Sequence, residues 1–368
     1  MKILVIDNSI LVLREGKVYT NSMNGAFLMD LKSSGADVAT CHFLVSNDTS
    51  ISQFNLLENG IKVLPLVYRR VKVVRYFLAY LSFLKELRTF DFVYLYYPSS
   101  FKHVTLLCKL FGIQFGLYIR GQQKLDDKLS HWIYRNAYVI MTVSDFFTDK
   151  INTIVGREVA STIRPMISYQ YDDIVLDRLY PTKTQYTILY FGRFDKEKGL
   201  RELILAVDKI RKDKYDFKLE LVGDGSFAST MKELIQQMKL NEWIKIRPPV
   251  YDDNLKKEVF SNADIYIIPT YHEGFPRTLY ESMIFGTPII TTMVGGIPAL
   301  MKDHVNCLEI QPRSIESIQS ALGYAFTHYD EMVKMAQRGT ELMKCIIAKD
   351  RLSHGYDLYN KIIKCCNK

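Results

Sequence analysis

The chain has 368 residues, of which 48% are hydrophobic, 12% aromatic and 24% charged. This length predicts two domains of roughly 100–200 residues each, and the composition excludes a disordered or fibrous chain. No apolar run approaches the ~18 residues of a membrane-spanning helix. The opening apolar run is interrupted at Asp7, too early for a secretory signal, so we expect a first buried strand and a cytoplasmic protein.

The formal net charge of +8 is concentrated in the first half of the chain. Residues 1–165 contain 20 Lys and Arg against 13 Asp and Glu, whereas residues 166–368 contain 28 against 27. A basic half favours an anionic partner, either membrane lipid or nucleic acid, although the excess could instead serve solubility. Because no recognised nucleic-acid-binding module accompanies the charge, we expect no nucleic-acid partner.

The first half alternates β-type with helix-type segments. Strands are expected at Lys2–Asp7, Val38–Val45, Ile61–Leu66, Asp91–Tyr97, Phe115–Ile119 and Tyr138–Val143. Helices are expected near Gly25–Ser34, Val71–Arg88, Val104–Leu110, Lys128–Arg135 and Asp145–Ile151. This alternation predicts a parallel sheet covered by helices on both faces.

A polar stretch at 166–184 predicts a linker, after which the alternation resumes. Strands are expected at Thr187–Phe191, Lys218–Val222, Trp243–Arg247, Asp264–Ile268, Pro288–Thr291 and Cys307–Ile310. Helices are expected near Leu200–Lys212, Phe227–Met238, Asp253–Phe260, Thr278–Phe285 and Ile315–Phe326, followed by a helical tail from Asp330 to Lys364. We therefore predict α/β domains at 1–165 and 185–345, and a C-terminal helix at 346–368 that packs toward the first domain.

Two cations follow the first strand of the second domain. Arg193 and Lys198 lie between that strand and the next helix. A diphosphate at such a helix N-terminus would meet free N–H groups, the positive end of the helix dipole and two fixed charges. The alternative is a glycine-rich turn that carries surface cations for solubility.

A second candidate segment runs from Pro269 to Glu281. It follows a buried strand, places Pro276 near a helix start and carries Glu273 in the loop and Glu281 on the helix. Two carboxylates on different elements can face one crevice, and carboxylates accept hydrogen bonds from sugar and ribose hydroxyls. Alternatively, Glu281 pairs with Arg277 one turn away and Glu273 is a solvated loop acid.

Five segments of the second domain, in this order, resemble retaining glycosyltransferases of family 4, which have the GT-B fold. They are Gly192-Arg193 with Lys198-Gly199, Gly223-Asp224-Gly225, Ala263-Asp264, the run from Glu273 to Glu281, and Gly295-Gly296-Ile297-Pro298. The resemblance implies two Rossmann-like, doubly wound domains that face a central cleft. It also implies a hexosyltransferase-like enzyme with a nucleotide-sugar donor.

The resemblance assigns roles to the charged residues. Arg193 and Lys198 would bind the diphosphate, Glu281 the ribose and Glu273 the donor sugar. Backbone groups would complete the donor site, namely those of Gly192, Gly274, Phe275, Arg277 and Thr278. Base recognition would use backbone around Arg247–Tyr251, and UDP is the favoured nucleotide.

The first domain resembles the family more in pattern than in residues. Gly25, which follows Asn24 before a helix, resembles the glycine loop that faces the donor phosphates, and Val143-Ser144 resembles a strand-end serine. Arg120 stands where the family often has a histidine near the donor sugar. An arginine can donate hydrogen bonds to sugar or phosphate but cannot act as a general base, and Arg120 could also be structural.

No metal or other cofactor is expected. The six cysteines are scattered without C-x-x-C spacing, which predicts reduced residues rather than a zinc site. No Asp-x-Asp pair occurs in the expected donor loops, so cations and helix N–H groups would stabilise the departing diphosphate. The departing phosphate could take the acceptor proton, and we name no protein base.

The expected function is extension of a glycan, lipid-linked in the favoured case, during cell-surface polysaccharide biosynthesis. Alternatives are a catalytically weak sugar-nucleotide-binding subunit and a soluble transferase acting on a small sugar phosphate. For the favoured case we expect peripheral association with the inner face of the cell membrane.

The stretch Tyr68–Arg88 is the expected contact with an anionic membrane, since it has six basic residues and one acid. The apolar positions expected to face the core are Val74, Phe77, Leu78 and Leu81. The aromatic residues expected on a second, outward face are Tyr76, Tyr80 and Phe83. The alternative is a soluble surface helix that is merely basic.

Overall fold

The computed structural model describes residues 1–8, 11–45, 52–120, 126–181, 183–213 and 215–366. Contacts divide the chain into two compact units. Unit 1 comprises Met1–Met166 and Arg351–Lys368, and unit 2 comprises Ile167–Asp350. The chain therefore leaves unit 1 once and returns to it near its last residues.

Unit 1 is a sheet with helices packed against it. Its strands are β1 Lys2–Ile6, β2 Leu11–Arg14, β3 Lys17–Asn21, β4 Asp37–Val45, β5 Ser52–Asn55, β6 Lys62–Leu66, β7 Phe92–Tyr97, β8 Gln114–Ile119, β9 Val139–Thr142 and β10 Ala160–Thr162. Its first helices are α1 Ser22–Ser33, α2 Lys72–Glu86, α3 Val104–Phe111, α4 Lys128–Asn136 and α5 Asp145–Val155. The strand order is β10-β9-β8-β7-β1-β4-β2-β3-β5, with β6 also paired to β4.

The centre of this sheet is parallel and fully covered. All six residues of β7 are buried, and β7 pairs in parallel with both β1 and β8. Strands covered on both faces need continuous apolar runs. That requirement is why these strands were readable in the sequence.

The edge of the same sheet differs from our expectation of an all-parallel sheet. β2 and β3 form an antiparallel hairpin, and β3 pairs antiparallel with β5. The hairpin turn is Glu15-Gly16, with φ of 50° and 74°, and positive φ at both central residues suits the twist of a two-residue hairpin. The prediction missed these strands because Glu-Gly is a weaker turn signal than Asn-Gly or Asp-Gly.

The faces of α2 are the reverse of those we expected. Ala79 and Phe83 are buried, whereas Phe77 is 62% exposed. The core beneath α2 is aromatic: Phe101 receives Phe83 with ring centroids 5.5 Å apart and Tyr76 at 5.6 Å. Aromatic partners therefore draw the aromatic side of the helix inward and leave the aliphatic side outside.

Unit 2 is an all-parallel sheet in which a helix connects each of the first four strands to the next strand. Its strands are β11 Tyr186–Phe191, β12 Phe217–Val222, β13 Ile244–Arg247, β14 Ile265–Ile268, β15 Ile289–Thr292 and β16 Leu308–Ile310. Its helices are α6 Leu200–Ile210, α7 Ala228–Gln237, α8 Asp253–Asn262, α9 Arg277–Ile284, α10 Ile315–Thr327 and α11 Tyr329–Ile346. The order β13-β12-β11-β14-β15-β16 is that of the doubly wound fold, as predicted.

The segment before β11, for which we predicted a linker, packs within unit 2. Tyr169 and Ile174 are buried in its core. Arg178 donates hydrogen bonds to the carbonyl oxygens of Phe285 at 2.9 Å and Ala263 at 2.5 Å. These contacts tie the entry of the chain to α9 and to the end of α8.

The last helix, α12 His354–Cys366, belongs to unit 1 and packs against α1. His354 is buried and is hydrogen-bonded through Nε2 to the Tyr94 hydroxyl at 2.7 Å. Ser353 Oγ donates to Asp30 Oδ2 at 2.5 Å. Among the described residues, no helix combines the length and hydropathy needed to cross a bilayer.

Candidate functional site

The sheet of unit 2 reverses its direction of growth between β11 and β14. The chain builds outward from β11 to β12 and β13, then crosses back to place β14 on the other side of β11. In a parallel sheet, the loops after two such strands diverge and leave a crevice that binds ligands. Residues 192–199 follow β11 and residues 269–276 follow β14, so both sequence-predicted segments lie at this reversal.

An ion pair joins these two loops. Lys198 ends a short 3-10 turn before α6, and its Nζ contacts Oε1 of Glu273 from the loop after β14. The side chains are only 10% and 21% exposed. Screening by water is weak at such a place, so each charge strongly affects any group that enters the crevice.

Arg193 lies beside this pair but in a different environment. Its side chain is 75% exposed, and its Nη1 lies 3.2 Å from Oδ2 of Asp195. Its carbonyl oxygen accepts a hydrogen bond of 2.7 Å from the Tyr190 hydroxyl, which fixes the turn after β11. The guanidinium is therefore exposed to solvent, unlike the buried Lys198 ammonium.

Two glycines allow the loops to approach this closely. A Cβ on Gly199 would lie 2.0 Å from the Pro269 carbonyl oxygen, and a Cβ on Gly295 would lie 1.7 Å from that of Glu273. Both have positive φ, 68° and 61°, a region that glycine enters without strain. The backbone that carries Glu273 is thus wedged directly against Gly295.

Two buried tyrosines connect the charged groups beneath the loops. Tyr190 lies within electrostatic range of Arg193 and Glu273, and Tyr266 within range of Glu273 and Glu281. Burial raises the pKa of both phenols well above their usual value, and both stay neutral. They form an uncharged floor under the cluster.

Glu281 is a buried carboxylate on the first turns of α9. Desolvation raises its pKa, while Lys256 and Arg277 act in the opposite direction. A carboxylate held away from water gains most from a partner that donates hydrogen bonds, because it has given up its own hydration. Hydroxyl groups are partners of this kind.

The N-terminus of α9 directly follows the loop that carries Glu273. Pro276 is its N-cap, without a side-chain capping bond, and Arg277 and Thr278 open the helix. The Thr278 hydroxyl accepts a hydrogen bond of 2.6 Å from Tyr266. First-turn N–H groups have no partner within a helix and attract anions.

The remaining backbone candidates adjoin this helix. The Gly274 carbonyl oxygen accepts a hydrogen bond of 2.7 Å from Gly296 N–H. The Phe275 ring packs on Tyr280 with centroids 4.5 Å apart. Gly192 directly follows β11, and its N–H donates to the Val222 carbonyl oxygen at 3.0 Å.

Two segments of the sequence pattern are structural. Asp264 accepts hydrogen bonds from Thr187 N–H at 2.8 Å and Lys183 Nζ at 2.7 Å, at the start of β11 and away from its carboxyl end. The backbone carbonyl oxygen of Asp224 accepts a hydrogen bond of 2.8 Å from Phe194 N–H, and this bond stabilises the turn that carries Arg193. Both segments therefore stabilise the backbone around the site and do not contribute side chains to it.

The candidates of the first domain lie in unit 1. Gly25 is on α1, and a Cβ there would lie 2.2 Å from the Phe54 ring, so close packing accounts for this glycine. Arg120 follows β8 and is exposed, with its guanidinium 5.3 Å from the Tyr96 ring centroid.

Sequence reasoning missed several residues of this site. Asp195 forms an ion pair with Arg193, and the charge of Lys256 acts to lower the pKa of Glu281. Tyr190 and Tyr266 are the buried, uncharged side chains next to these groups. One signal was present: both tyrosines lie within apolar strands that end at the site. Their partners could not be inferred, because loop geometry decides them.

A cavity of about 230 Å³ lies elsewhere in unit 2. Its lining includes Glu220, Arg247 and Val250, and Arg247 Nη1 lies 2.7 Å from Glu220 Oε2. None of the residues predicted to bind the diphosphate, the ribose or the donor sugar lines it. Arg247 and Val250 belong to the stretch where we expected base recognition.

The comparisons with known proteins converge on one class. Residues 177–342 match the family model for glycosyl transferases group 1. An uncharacterized glycosyltransferase of Methanocaldococcus jannaschii is 32% identical over 131 residues, which is 36% of this chain and 33% of that protein. A putative teichuronic acid biosynthesis glycosyltransferase of Bacillus subtilis is 29% identical over 145 residues, 39% of this chain and 32% of that protein. The chain thus matches about a third of the length of each relative.

A solved structure covers the whole chain. HepE of Anabaena, in complex with UDP, superimposes with a TM-score of 0.69 at 15% identity, covering 100% of both chains. Identity at this level shows the fold alone. The fold is the mixed α/β architecture of GT-B glycosyltransferases, as predicted, and the match to the glycosyl transferases group 1 model lies within unit 2.

Proposed function

We propose that this protein is a glycosyltransferase that moves a sugar from a nucleotide-sugar donor to a glycan acceptor. The observation that carries the proposal is the Lys198–Glu273 pair, which joins the loops after β11 and β14 where the sheet reverses. It lies within the segment that matches glycosyl transferases group 1. A cation and an acid side by side suit a ligand with an anionic part and a hydroxyl-rich part.

In this proposal the donor lies along the crevice of unit 2. Lys198 and Arg193 bind the diphosphate, and the N–H groups of Arg277 and Thr278 lie against its phosphates. Glu273 accepts hydrogen bonds from the sugar hydroxyls, with the backbone of Gly274 and Phe275 beside it. Glu281, buried on α9, accepts from the ribose.

We favour UDP as the nucleotide and a reaction that retains the anomeric configuration without a metal ion. UDP is supported by the ligand of HepE, and retention by the sequence resemblance to family 4. The acceptor oxygen would bond to the anomeric carbon on the face that the diphosphate leaves. The departing diphosphate would take the acceptor proton, while Lys198 and Arg193 stabilise its charge.

For the acceptor we propose a lipid-linked glycan of cell-surface polysaccharide synthesis, handled at the inner face of the membrane. The relative from Bacillus subtilis is named for teichuronic acid biosynthesis, and residues 1–165 carry the excess of positive charge. Arg120 and Gly25, both in unit 1, stay predictions from the sequence resemblance, Arg120 for the sugar and Gly25 for the phosphates.

The test combines binding with transfer. UDP, GDP, ADP and CDP are compared by thermal unfolding, where a nucleotide at ~100 times its dissociation constant adds about 2.7 kcal/mol of stability. UDP-sugars are then incubated with and without lipid-linked and water-soluble acceptors. The proposal is supported if UDP stabilises the protein and sugar is transferred to the lipid-linked acceptor. It is contradicted if none of the four nucleotides stabilises the protein.

One alternative has an observation in its favour. Arg120, at the position where the family often has histidine, is stacked near the rings of Tyr96 and Tyr118 and cannot accept a proton. A binding subunit with weak catalysis would bind UDP and turn over no donor with any acceptor. A transferase of small sugar phosphates would be active with water-soluble acceptors alone.

A further inference from the structure

The outward side of α2 is an apolar strip on the surface of unit 1. It consists of Val73, Val74, Phe77, Leu81 and Leu84, which we call the α2 outer face. All five are exposed, Val73 to 79% and Phe77 to 62%. Positions 73, 77, 81 and 84 recur every three to four residues and therefore share one side of the helix.

Packing within unit 1 does not account for this strip. The inward side of α2 is already occupied by Ala79 and Phe83, with Tyr76 and Tyr80 packed against the same core. The neighbouring helix α3 adds two more exposed apolar residues, Leu106 at 42% and Leu110 at 74%. Exposed apolar patches mark contacts with other proteins or with membranes.

The charges around the strip are almost all positive. Arg69, Arg70 and Lys72 lie at the start of α2 and are exposed, as are Lys85 and Arg88 at its end, and Glu86 is the one acid between Tyr68 and Arg88. Arg75 differs, because its guanidinium lies over the rings of Phe43 and Tyr68 at 5.0 and 4.9 Å. Arg75 therefore packs inward. The five exposed cations without it, Arg69, Arg70, Lys72, Lys85 and Arg88, form what we call the cationic rim.

We propose that the α2 outer face docks this protein on an anionic lipid bilayer, with the apolar strip among the acyl chains and the cationic rim at the headgroups. The charge pattern selects this occupant. A second copy on the same face would bring the same cations together and repel, whereas acidic headgroups attract every one of them. This proposal deepens the membrane association in the proposed function, and its tests use neither donor nor acceptor, so failure of one is distinguishable from failure of the other.

Co-sedimentation with vesicles tests the charge. The full chain is mixed with vesicles of phosphatidylglycerol and phosphatidylcholine in equal parts, or of phosphatidylcholine alone. We expect binding to the mixed vesicles at low salt and release toward ~1 M salt, where the Debye length is about 3 Å. Replacing Arg69, Arg70 and Lys72 with Ser should weaken partitioning about 100-fold, since each cation near such a surface contributes ~1 kcal/mol.

The matched control removes three exposed lysines of unit 2. Lys218→Ser, Lys232→Ser and Lys245→Ser change the net charge equally but belong to the other unit, so vesicle binding should stay within about two-fold of the wild type. Equal loss in both triple variants would mean that net charge alone drives binding, and would overturn the proposal. Thermal unfolding of each variant shows that it is folded.

A probe at Phe77 tests the position. Phe77→Trp should give indole fluorescence that shifts to the blue on mixed vesicles and is quenched by brominated lipid, beyond the background of Trp132 and Trp243. Co-sedimentation without this shift would place the contact elsewhere and overturn the proposal. A lipid-free dimer that Phe77→Ser dissociates, measured by light scattering, would identify a self-association face instead and would also overturn it.

Discussion

Lys198 is the residue whose loss should be most costly for catalysis. Lys198→Ala removes a buried charged donor from the crevice, and such a loss costs on the order of 3–4 kcal/mol of transition-state stabilisation, or ~100–1,000-fold in kcat. The measurement is the transfer rate at saturating donor. Lys196→Ala is the control, because Lys196 lies two residues away and is exposed. Near-normal turnover of Lys198→Ala would refute the assignment.

Glu281 connects stability with binding. Burial raises its pKa, so the folded chain holds this proton more tightly than the unfolded chain, and the free energy of unfolding falls as pH rises through the interval between the two pKa values. Glu281→Gln removes this cost. We expect higher stability than the wild type at pH 7 and nucleotide affinity weaker by about 10- to 100-fold, from loss of a charged acceptor.

Calorimetry and denaturant titration at pH 7 check both halves of this prediction. Glu233→Gln, an exposed acid on α7, should change neither quantity. Unchanged nucleotide affinity in Glu281→Gln would rule out the ribose role, whatever happens to stability.

At the residue scale, the sequence did not distinguish the environments of the two candidate cations. It treated Arg193 and Lys198 as one pair of cations, whereas the structure buries Lys198 against Glu273 and leaves Arg193 exposed beside Asp195. Residue type and spacing indicate that a cation follows a strand. How deeply its loop is buried depends on contacts such as Gly199 on Pro269, which join segments 70 residues apart in sequence.

Among the elements, the loop before α9 depends on a glycine in another loop. Gly295→Ala would place a Cβ against the Glu273 backbone at positive φ, which costs about 1–2 kcal/mol for the conformation alone and displaces the carboxylate. Transfer should fall at least ten-fold in a chain that still folds. Gly323→Ala on α10 is the matched change: its Cβ meets nothing within 4 Å, and it should stabilise by roughly 0.5–1 kcal/mol.

Transfer rates and thermal unfolding of the two alanine variants distinguish these effects. Equal activity would show that the Glu273 loop can shift without consequence, and would contradict the wedged arrangement.

The helix α12 should make unit 1 sensitive to acid. Burial lowers the pKa of His354 to about 3 and that of His42 to about 4. As the pH falls below about 6.5, both histidines take up a proton in the unfolded chain but stay neutral in the folded chain. The free energy of unfolding therefore falls by up to about 1.4 kcal/mol per pH unit for each histidine. His354→Gln should make that fall shallower, whereas His103→Gln, at an exposed site, should leave it unchanged. An unaltered slope in His354→Gln would contradict the prediction.

The elements were predictable where burial dictates the pattern. β14 and α6 match the expected segments closely, because an apolar run or an amphipathic period extends over each. α2 was predicted as a helix with its faces exchanged, since it carries apolar residues on two sides and only the aromatic core around Phe101 decides which side is inward. Periodicity gives the helix, and its partner gives the orientation.

For the molecule as a whole, unit 2 is a continuous stretch of chain that contains the proposed donor site. The fragment 167–350 should therefore fold alone and bind UDP within about ten-fold of the affinity of the full chain, if unit 1 adds no more than about 1.4 kcal/mol to nucleotide binding. Isothermal titration of the fragment measures this. A folded fragment that does not bind UDP would show that unit 1 supplies essential donor contacts.

The return of the chain to unit 1 at Arg351 has a consequence for biosynthesis. Domains fold as units while the ribosome extends the chain, and unit 2 is complete as soon as residue 350 has emerged. Unit 1 begins to emerge before unit 2. Its helix α1 is nevertheless covered only when α12 is synthesised, some 320 residues later along the chain. During that interval the face of α1 that contacts His354 and Ser353 is uncovered, so the nascent protein carries a folded unit 2 and an open unit 1 until α12 leaves the ribosome.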